Sequence, residues 1–201
     1  VANGIRENCP KDERLELFEL PDFINTMVEN KWLGSKTGQG FYKKNVSADG
    51  KKEILSLDLN TLEYRSAKRA KFATLELTKT VDKVVDRFKI LIKGKDKAGE
   101  FYRKSFAALF AYVSNRIPEI TDDLYKIDDA MKAGFGWEHG PFQIWDAIGV
   151  EKGIEMMKAE GLEPNAWVNE MLASGSNSFY SIKEGATYAY DIPKKSQEKI
   201  P

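Results

Sequence analysis

The amino-acid sequence predicts a mainly α-helical protein in which short β-hairpins follow helical units. Apolar residues recur at the three- and four-residue spacing of helices over most of the chain. Alternation of apolar and polar residues beside turn signals is confined to two stretches, near residues 41–64 and 179–190, and these predict hairpins. The 201 residues are enough for one large domain or two small ones.

In the first half, two short helices are predicted over residues 12–31, divided by Pro21 because proline does not continue a helix. A glycine-rich stretch, residues 34–40 (the glycine loop), leads to a predicted strand at 41–44. Asp49-Gly50 is a turn signal, followed by a strand at 53–59 with which residues 62–64 pair. Residues 66–71 form a basic, polar connector.

In the second half, helical spacing returns over residues 75–92 and ends at Gly94. Asp96 is predicted to cap a long helix that stops before Pro118, and its small residues, Ala107, Ala108 and Ala111, allow a neighbouring helix to approach. Further helices are predicted at 122–132, 141–148, 150–159 and 165–173, then a hairpin at 179–190. The polar tail, residues 194–201, is predicted to fray.

Composition excludes several classes of function. The 31 Lys and Arg residues balance 31 Asp and Glu residues, so no basic excess favours a nucleic acid or an anionic membrane as partner. One cysteine, Cys9, and one histidine, His139, exclude an intrachain disulfide and the usual zinc sites. Without a signal peptide or a bilayer-spanning apolar run, we expect a cytoplasmic protein. The start at Val1 rather than Met suggests a piece of a longer chain.

The two halves share a pattern that indicates an internal repeat. Residues 23–28 align with 167–172 at an offset of 144 (from 23 to 167), and a proline, Pro21 or Pro164, precedes each block. A loop, Phe-Tyr and a hairpin follow both, with Phe41 matching Phe179 at an offset of 138. Coincidence between two generic helix-loop-hairpin units is the alternative. A true repeat implies that the first copy lacks its helical front half.

Two candidate sites have structural alternatives. The glycine loop suggests a phosphate cradle, but it follows a helix and lacks both the P-loop ending and the dinucleotide spacing, which favours a glycine cap and a tight turn into the strand. His139 is a candidate general base that Glu138, Asp128 or Asp146 would orient. No nucleophile motif accompanies it, so a surface histidine before a helix that starts at Pro141 is favoured.

The remaining polar and aromatic groups point to structure more than to chemistry. An aromatic set is interpreted as core or as a partner-burying face rather than a ligand box; it comprises Phe135, Trp137, Phe142 and Trp145. An acidic set lacks the spacing of a calcium loop and is interpreted as helix N-terminal charge and a solvated face; it comprises Asp122, Asp123, Asp128 and Asp129. Asn115-Arg116 is a polar pair near the end of the long helix, with ligand contact by Asn115 as the alternative to a surface or capping role. Residues 45–47 match the acceptor pattern for N-glycosylation, which has no meaning without a secretory signal.

Two long motifs resemble those of the 3-hydroxyacyl-CoA dehydrogenase family in its C-terminal helical domains. Residues 32–43 are similar to its Gly-x-Lys-Thr-Gly-x-Gly-Phe-Tyr signature, through Lys36, Thr37, Gly38, Gly40, Phe41 and Tyr42. Residues 127–149 are similar to its second hallmark, through Asp128, Gly140, Pro141, Phe142, Trp145 and Asp146. The resemblance implies a helical domain like the C-terminal domain of 6-phosphogluconate dehydrogenase. It covers the end of one such domain and the whole of a second.

The resemblance also implies a function for the parent protein. Family members oxidise (S)-3-hydroxyacyl-CoA with NAD in fatty-acid β-oxidation, and an N-terminal Rossmann domain carries NAD and the catalytic His-Glu pair. That domain is absent here, so we expect no catalytic residue, bound cofactor or activity in this chain alone. Asn115 matches a substrate-proximal Asn of the family, although in the second copy, and His139 stands where the family commonly has an apolar residue.

The expected organisation follows from the repeat and the resemblance together. Residues 1–65 would be the end of a first helical domain, 66–95 a linker and connecting helix, 96–193 a complete second domain and 194–201 a tail. Expected partners are the missing Rossmann domain, an enoyl-CoA hydratase domain and a further copy of the chain, with self-association favoured because Phe23, Met27 and Trp32 would lack cover. The second copy would complete a pseudo-dimer. A stand-alone helical interaction module and a relative acting on hydroxyacids without CoA are the alternative hypotheses.

Overall fold

The computed structural model describes residues 1–46, 49–68 and 70–201 and divides the chain into two compact units, Val1–Ala70 and Lys71–Pro201. Ser47 of the acceptor pattern and Arg69 of the basic connector lie outside the described residues. Among the described residues, no helix has the length and apolar character needed to cross a membrane.

The first unit combines short helices with a three-stranded antiparallel sheet. Its elements are α1 (Ala2–Asn8), a 3₁₀ turn (Leu15–Phe18), α2 (Asp22–Glu29), β1 (Tyr42–Val46), β2 (Lys52–Leu57) and β3 (Tyr64–Ser66). The sheet order is β1-β2-β3, with Tyr42 opposite Ser56 and Leu57 opposite Tyr64. Helix α1 was not expected from the sequence. None of its residues is buried, so the sequence has no apolar stripe there that would predict a helix.

The core of the first unit is small. Met27 and Leu57 are buried, the Phe23 ring lies edge-on to Phe41 at 6.4 Å, and Trp32 lies 5.7 Å from Tyr64. The expectation that Met27 lacks cover is therefore wrong, since its side chain is buried. Phe23 and Trp32 are half-buried.

The second unit consists of helices of eight to nineteen residues, with one shorter helix before them, followed by a second small sheet. Its helices are α3 (Ala73–Thr78), α4 (Val84–Lys93), α5 (Lys97–Asn115), α6 (Leu124–Phe135), α7 (Pro141–Ile148), α8 (Val150–Ala159) and α9 (Ala166–Ala173). Its strands are β4 (Tyr180–Lys183), β5 (Ala186–Asp191) and β6 (Ser196–Lys199). The long helix α5 packs against α4, α7 and α8, and buried Ala107 and Ala111 on it give the close approach that the sequence predicted.

The single helix expected at 75–92 is wrong, since α3 and α4 are separate. Val81 lies between the two helices, and its carbonyl accepts from Nε of Arg87 on α4 at 2.6 Å rather than from a backbone amide of a continuous helix. Asp96 ties the two regions together: it caps α5 by accepting from the Gly99 amide at 3.0 Å, as predicted, and also accepts from the Thr74 amide and hydroxyl at 2.9 and 2.7 Å. Both α3 and α4 thus pack within the second unit, in the stretch 66–95 that was expected to hold a linker and a connecting helix.

Stacked aromatic rings form the centre of the second unit. Phe106, Phe110 and Trp145 lie in one stack with centroid distances of 5.8 and 4.9 Å. Gly153 on α8 is required here, because a Cβ at that position would lie 2.1 Å from Trp145 Nε1. The expected aromatic set divides: Phe142 and Trp145 are core, whereas Phe135 and Trp137 are exposed.

The C-terminal tail is ordered, contrary to the prediction that it frays. Residues 196–199 form β6, which pairs with β5 through Tyr190 opposite Gln197 and Asp191 opposite Ser196. Ile200 packs against the core of the second unit. The polar composition of an edge strand with one solvated face conceals it in the sequence.

The two aligned helices end in the same way. In α2 the Lys31 amide donates to the Val28 carbonyl at 3.0 Å, and after α9 the Gly175 amide donates to the Leu172 carbonyl at 3.0 Å. Both residues have a left-handed backbone, with φ of 58° at Lys31 and 89° at Gly175. The offset between the paired residues is the 144 found in the sequence, so the repeat extends to individual hydrogen bonds.

The sheets after these helices also correspond. The Leu57 amide donates to the Phe41 carbonyl at 2.9 Å, and the Tyr190 amide donates to the Phe179 carbonyl at 2.8 Å. Each sheet is a three-stranded antiparallel meander.

One hydrogen bond from a side chain to the backbone also occurs at equivalent positions in the two copies, although the donor residue differs. Tyr64 Oη donates to the Gly40 carbonyl at 2.6 Å, and Gln197 Nε2 donates to the Ser178 carbonyl at 3.0 Å. Gly40 and Ser178 are the residues before the two Phe-Tyr pairs.

Candidate functional site

The residues of the second motif meet around two buried carboxylates in the second unit. Asp128, on α6, is fully buried. Its Oδ1 accepts from the Phe142 amide at 2.9 Å, and its Oδ2 accepts from the Gln143 amide at 3.0 Å and from Tyr180 Oη at 2.9 Å. The carboxylate therefore satisfies the first free amides of α7 from outside that helix.

The start of α7 is shaped to admit this carboxylate. A Cβ at Gly140 would lie 2.3 Å from Asp128 Cβ, so only glycine fits. Pro141 occupies the first helical position, and Gln143 Oε1 accepts from the Gly140 amide at 3.0 Å. The Gly-Pro pair of the motif thus brings the helix start against the Asp128 side chain.

Asp146, in the last turns of α7, holds the start of the sheet. Its two carboxylate oxygens accept from the Phe179 and Tyr180 amides, each at 2.8 Å. Phe179 is fully buried between Phe142 at 5.0 Å and Trp145 at 4.9 Å. One helix therefore carries both the aromatic cover and the carboxylate that fix the Phe-Tyr pair.

Burial dominates the electrostatics of both carboxyls. Loss of solvation raises the pKa of Asp128 to about 6, against the lowering effect of the Phe142 amide and the Tyr180 hydroxyl. Loss of solvation, with repulsion from Asp128, raises the pKa of Asp146 to about 7. Burial and the nearby Asp128 charge also raise the pKa of Tyr180 well above its usual value.

Two sequence expectations about these acids are corrected. Asp128 does not lie on a solvated face; of the acidic set it is the fully buried member. Neither Asp128 nor Asp146 orients His139, because their oxygens accept from α7, Tyr180 and the sheet.

His139 lies in the turn between α6 and α7. Its Nε2 is 3.7 Å from Glu138 Oε1, an ion pair only when the imidazole is protonated, and its ring lies edge-on to Phe88 at 6.2 Å. The side chain is partly exposed, as the structural interpretation of the sequence expected. Within the described ranges, no cluster of three His, Cys, Asp or Glu side chains offers a metal site.

Asn115 and Arg116 lie where α5 ends. Asn115 is the last helical residue and is half-buried. The Arg116 guanidinium stacks on Tyr112 at 4.9 Å and pairs with Glu119 at 2.6 Å.

The glycine loop of the first motif folds back on itself. Thr37 Oγ1 accepts from the Leu33 amide at 3.0 Å and lies 3.1 Å from the Gly34 carbonyl. A Cβ at Gly40 would lie 2.8 Å from Gly34 Cα. The loop amides donate within the first unit: Gly34 to Gln39, Thr37 to Gly34, Gly38 to Ser35 and Gly40 to Tyr42, at 2.9 to 3.2 Å.

These bonds decide the fit of a phosphate or dinucleotide. A phosphate cradle needs several loop amides turned toward the ligand. Here four amides are already used inside the loop. The glycine loop does not fit the pyrophosphate of NAD, and the structural interpretation of the sequence, a tight turn into β1, describes it better.

Two groups that hold the site together escaped the sequence interpretation. Ser114 is fully buried; its Oγ accepts from the Asn165 amide at 3.0 Å and its carbonyl accepts from Trp167 Nε1 at 3.1 Å. Tyr180 was noted only as part of the repeated Phe-Tyr pair and of a hairpin, not as a partner of Asp128. Its position directly after the motif residue Phe179 is the one signal that would have found it.

Together these contacts define a helical scaffold domain whose buried carboxylates bind its own backbone. A sequence model described as "3-hydroxyacyl-CoA dehydrogenase, C-terminal domain" matches residues 103–188. This match contains the second of the two motifs, residues 127–149, and so agrees with the resemblance found there in the sequence.

Similar proteins are considerably longer than this chain. A "Probable 3-hydroxyacyl-CoA dehydrogenase" of Bacillus subtilis is 39% identical over 191 residues, which are 95% of this chain and 23% of that protein. A "Putative fatty acid oxidation complex trifunctional enzyme" of Rickettsia felis is 30% identical over 60% of this chain and 15% of its own length. A protein of the same name from Rickettsia prowazekii is 25% identical over 78% of this chain and 20% of its own length. The chain thus spans less than a quarter of these relatives, and the comparison with solved structures found no match.

Proposed function

We propose that this chain is the C-terminal helical portion of an NAD-dependent (S)-3-hydroxyacyl-CoA dehydrogenase of fatty-acid β-oxidation. Its role is to pack against the domain that binds NAD and to form a pseudo-dimer between two helical copies. We also propose the helical fold of the 6-phosphogluconate dehydrogenase C-terminal domain for the second unit. The match of residues 103–188 to the family supports this assignment.

One observation carries the structural role. The motif carboxylates Asp128 and Asp146 accept hydrogen bonds from the backbone of α7 and from the start of β4. Carboxylates that are bonded to the backbone in this way stabilise the helical unit and are not available to a substrate, which supports a structural role for the unit. Catalysis then rests on a Rossmann domain outside this chain, with its own His-Glu pair.

The names of the longer relatives support further domains in the same polypeptide. Two of them are called trifunctional enzymes of fatty acid oxidation, and this chain spans 15% and 20% of their lengths. An enoyl-CoA hydratase domain in the parent polypeptide is consistent with those names.

The test compares three proteins in one assay, NADH oxidation with acetoacetyl-CoA. The chain alone is expected to stay at background and the parent polypeptide to be active. The parent polypeptide lacking residues 71–201 is expected to lose most of its activity. Turnover by the chain alone, or full activity of the shortened parent, would contradict the proposal. Comparing acyl-CoA with free hydroxyacids in the parent separates the CoA-dependent reaction from the alternative hydroxyacid class.

Asn115 is the one residue that we propose near the acyl-CoA. Asn115→Ala in the parent polypeptide should raise KM or lower kcat if the side chain meets substrate. Exposed Ser105→Ala on the same helix is the control, since it should leave both constants unchanged. Identical kinetics for the two variants would remove Asn115 from the site.

A further inference from the structure

The Phe-Tyr pair of the first unit, Phe41 and Tyr42, is exposed to solvent, whereas Phe179 of the corresponding pair in the second unit is buried. Phe179 has no exposed surface, whereas Phe41 is 46% exposed. In the second unit Asp146 accepts from the Phe179 amide. Among the described residues, the Phe41 amide has no hydrogen-bond partner. The first unit thus presents, unfilled, the position that α7 fills in the second.

An apolar groove surrounds Phe41 within the first unit. A cavity of about 210 Å³ is lined by α2 and the start of the glycine loop, including Ile24, Val28 and Leu33. Val28 and Leu33 are 56% and 63% exposed. Val168 and Leu172, the residues of α9 that align with Ile24 and Val28, are buried and half-buried.

One backbone donor beside the groove, the Tyr42 amide, points away from the sheet. Because the Leu57 amide bonds to the Phe41 carbonyl, the next pair, Tyr42 and Ser56, is a non-hydrogen-bonded pair of the antiparallel ladder. The Tyr42 amide therefore points away from β2, as does the Tyr180 amide that Asp146 binds.

The charge around these donors favours an anionic group. Lys43 and Lys44 line an adjoining cavity of about 400 Å³ together with Phe41 and Tyr42. The outward Tyr42 amide and the Phe41 amide, which has no bond among the described residues, lie beside two cationic side chains and complement a carboxylate.

We propose that this surface, formed by Ile24, Val28, Leu33, Phe41 and the Tyr42 amide, is the docking site for a helix that presents an aromatic side chain and, four residues later, a carboxylate. Phe142 and Asp146 of α7 have this spacing and make the equivalent contacts in the second unit. The aromatic ring covers Phe41, and the carboxylate accepts from the Phe41 and Tyr42 amides. Helix α7 itself is not the occupant, because its Phe142 and Trp145 are fully buried in the second unit.

This inference rests on the proposed function and deepens it by naming the chemistry of the partner. The occupant is a helix of another polypeptide segment with the α7 pattern. A binding measurement does not depend on dehydrogenase activity, so the two proposals can fail separately.

The test uses a helical peptide as the probe. A synthetic peptide with the sequence of residues 140–149 is locked as a helix by a lactam bridge between Gln143→Lys and Ala147→Glu, and its helicity is verified by circular dichroism. Its twin carries Asp146→Asn. Added to the ¹⁵N-labelled chain, the Asp peptide should shift the Phe41 and Tyr42 amide signals downfield and leave those of Phe179 and Tyr180 in place. The Asn peptide should bind about tenfold more weakly, since a charged acceptor is replaced by a neutral one.

A pair of chain variants locates the binding surface. Val28→Asp should abolish the shifts, because it places a charge in the groove. Ile182→Asp, at a residue 78% exposed on β4, should leave them unchanged. Equal binding of the two peptides, shifts confined to other residues, or no binding of the verified helix at millimolar concentration would overturn the inference.

Discussion

The two helix-and-sheet copies of this chain share the hydrogen bonds that end their helices and join their strands, but they have different surroundings. The hydrogen bonds that end α2 and α9 match at one offset, and those that join the strands match at another. In the second copy α6 and α7 supply two carboxylates and an aromatic cover to the Phe-Tyr pair. In the first copy the corresponding Phe41 and Tyr42 are exposed.

This difference distinguishes the stability that comes from residues within each copy from the stability that other helices add to it. The helix end and the three-stranded sheet form in both copies, so residues within each copy determine them. The burial of the Phe-Tyr pair depends on helices that precede the second copy. The second unit should therefore be much more sensitive than the first to changes at corresponding positions.

The largest contrast is expected at the paired phenylalanines. Phe179→Ala opens a cavity among Phe142, Trp145 and Trp167 and should lower the free energy of unfolding of the second unit by about 3–5 kcal/mol. Phe41→Ala should cost the first unit less than about 1 kcal/mol, because that ring is already partly exposed. Amide hydrogen exchange measures each unit separately. Equal losses in the two units would break the comparison.

Acidity should affect the units in opposite directions. The raised pKa values of Asp146, about 7, and Asp128, about 6, make the native second unit bind more protons than the unfolded chain between about pH 4 and 7. Its free energy of unfolding should therefore fall as pH rises through that range, by about 4 kcal/mol from pH 5 to pH 7.5. In the first unit the Asn60 amide lowers the pKa of Asp58, so acidification brings that unit no such gain.

Urea unfolding at the two pH values, followed by exchange in each unit, measures this effect. Asp146→Asn is the control, since removing one of the two titrating groups should reduce the pH dependence of the second unit to the part that comes from Asp128. Greater stability of the wild-type second unit at pH 7.5 than at pH 5 would contradict the burial of these carboxyls.

A smaller contrast is expected at the paired tyrosines. Tyr180→Phe removes the hydroxyl that donates to Asp128 and should cost about 1–2 kcal/mol in the second unit. It should also raise the pKa of Asp128 further, because that bond favours the charged carboxylate. Tyr42→Phe, at a residue 66% exposed, should change stability by less than about 0.5 kcal/mol. Carboxyl ¹³C titration and urea unfolding test both; an unchanged Asp128 titration would show that the hydroxyl does not bind there.

The smallest effect is expected at the two left-handed residues after the helices. Lys31 holds a φ of 58° that costs a residue with a Cβ, whereas Gly175 holds 89° without that cost. Lys31→Gly should therefore raise the stability of the first unit by about 0.5 kcal/mol, and Gly175→Ala should lower that of the second by about 1 kcal/mol. Thermal unfolding with exchange detection measures both, and a destabilising Lys31→Gly would show that the two helix ends are not equivalent.

The sequence predicted those features that depend on near neighbours. The cap at Asp96, the first meander, the β4–β5 hairpin and the helices α7, α8 and α9 follow from spacing and turn residues. The apolar period continued across residues 79–83, so the sequence did not reveal the break between α3 and α4.

The candidate site lay beyond such reasoning for a different physical cause. Asp128 bonds residues 14 and 52 positions away, and Asp146 bonds residues 33 and 34 positions away. A charged residue in an acidic stretch is predicted to face solvent unless its distant donors are known. The motif residues were identifiable by resemblance, whereas their work as backbone clamps became visible only in the folded chain.

The carbonyl before each Phe-Tyr pair has kept its bond while changing its donor, from the Tyr64 hydroxyl in one copy to the Gln197 amide in the other. Residue identity at these two positions retains nothing of a common origin, yet the shape of the bond does. If the copies descend from one ancestor, what they have in common at this point is a main-chain carbonyl that needs a hydrogen-bond donor. Two chemically unrelated side chains provide that donor.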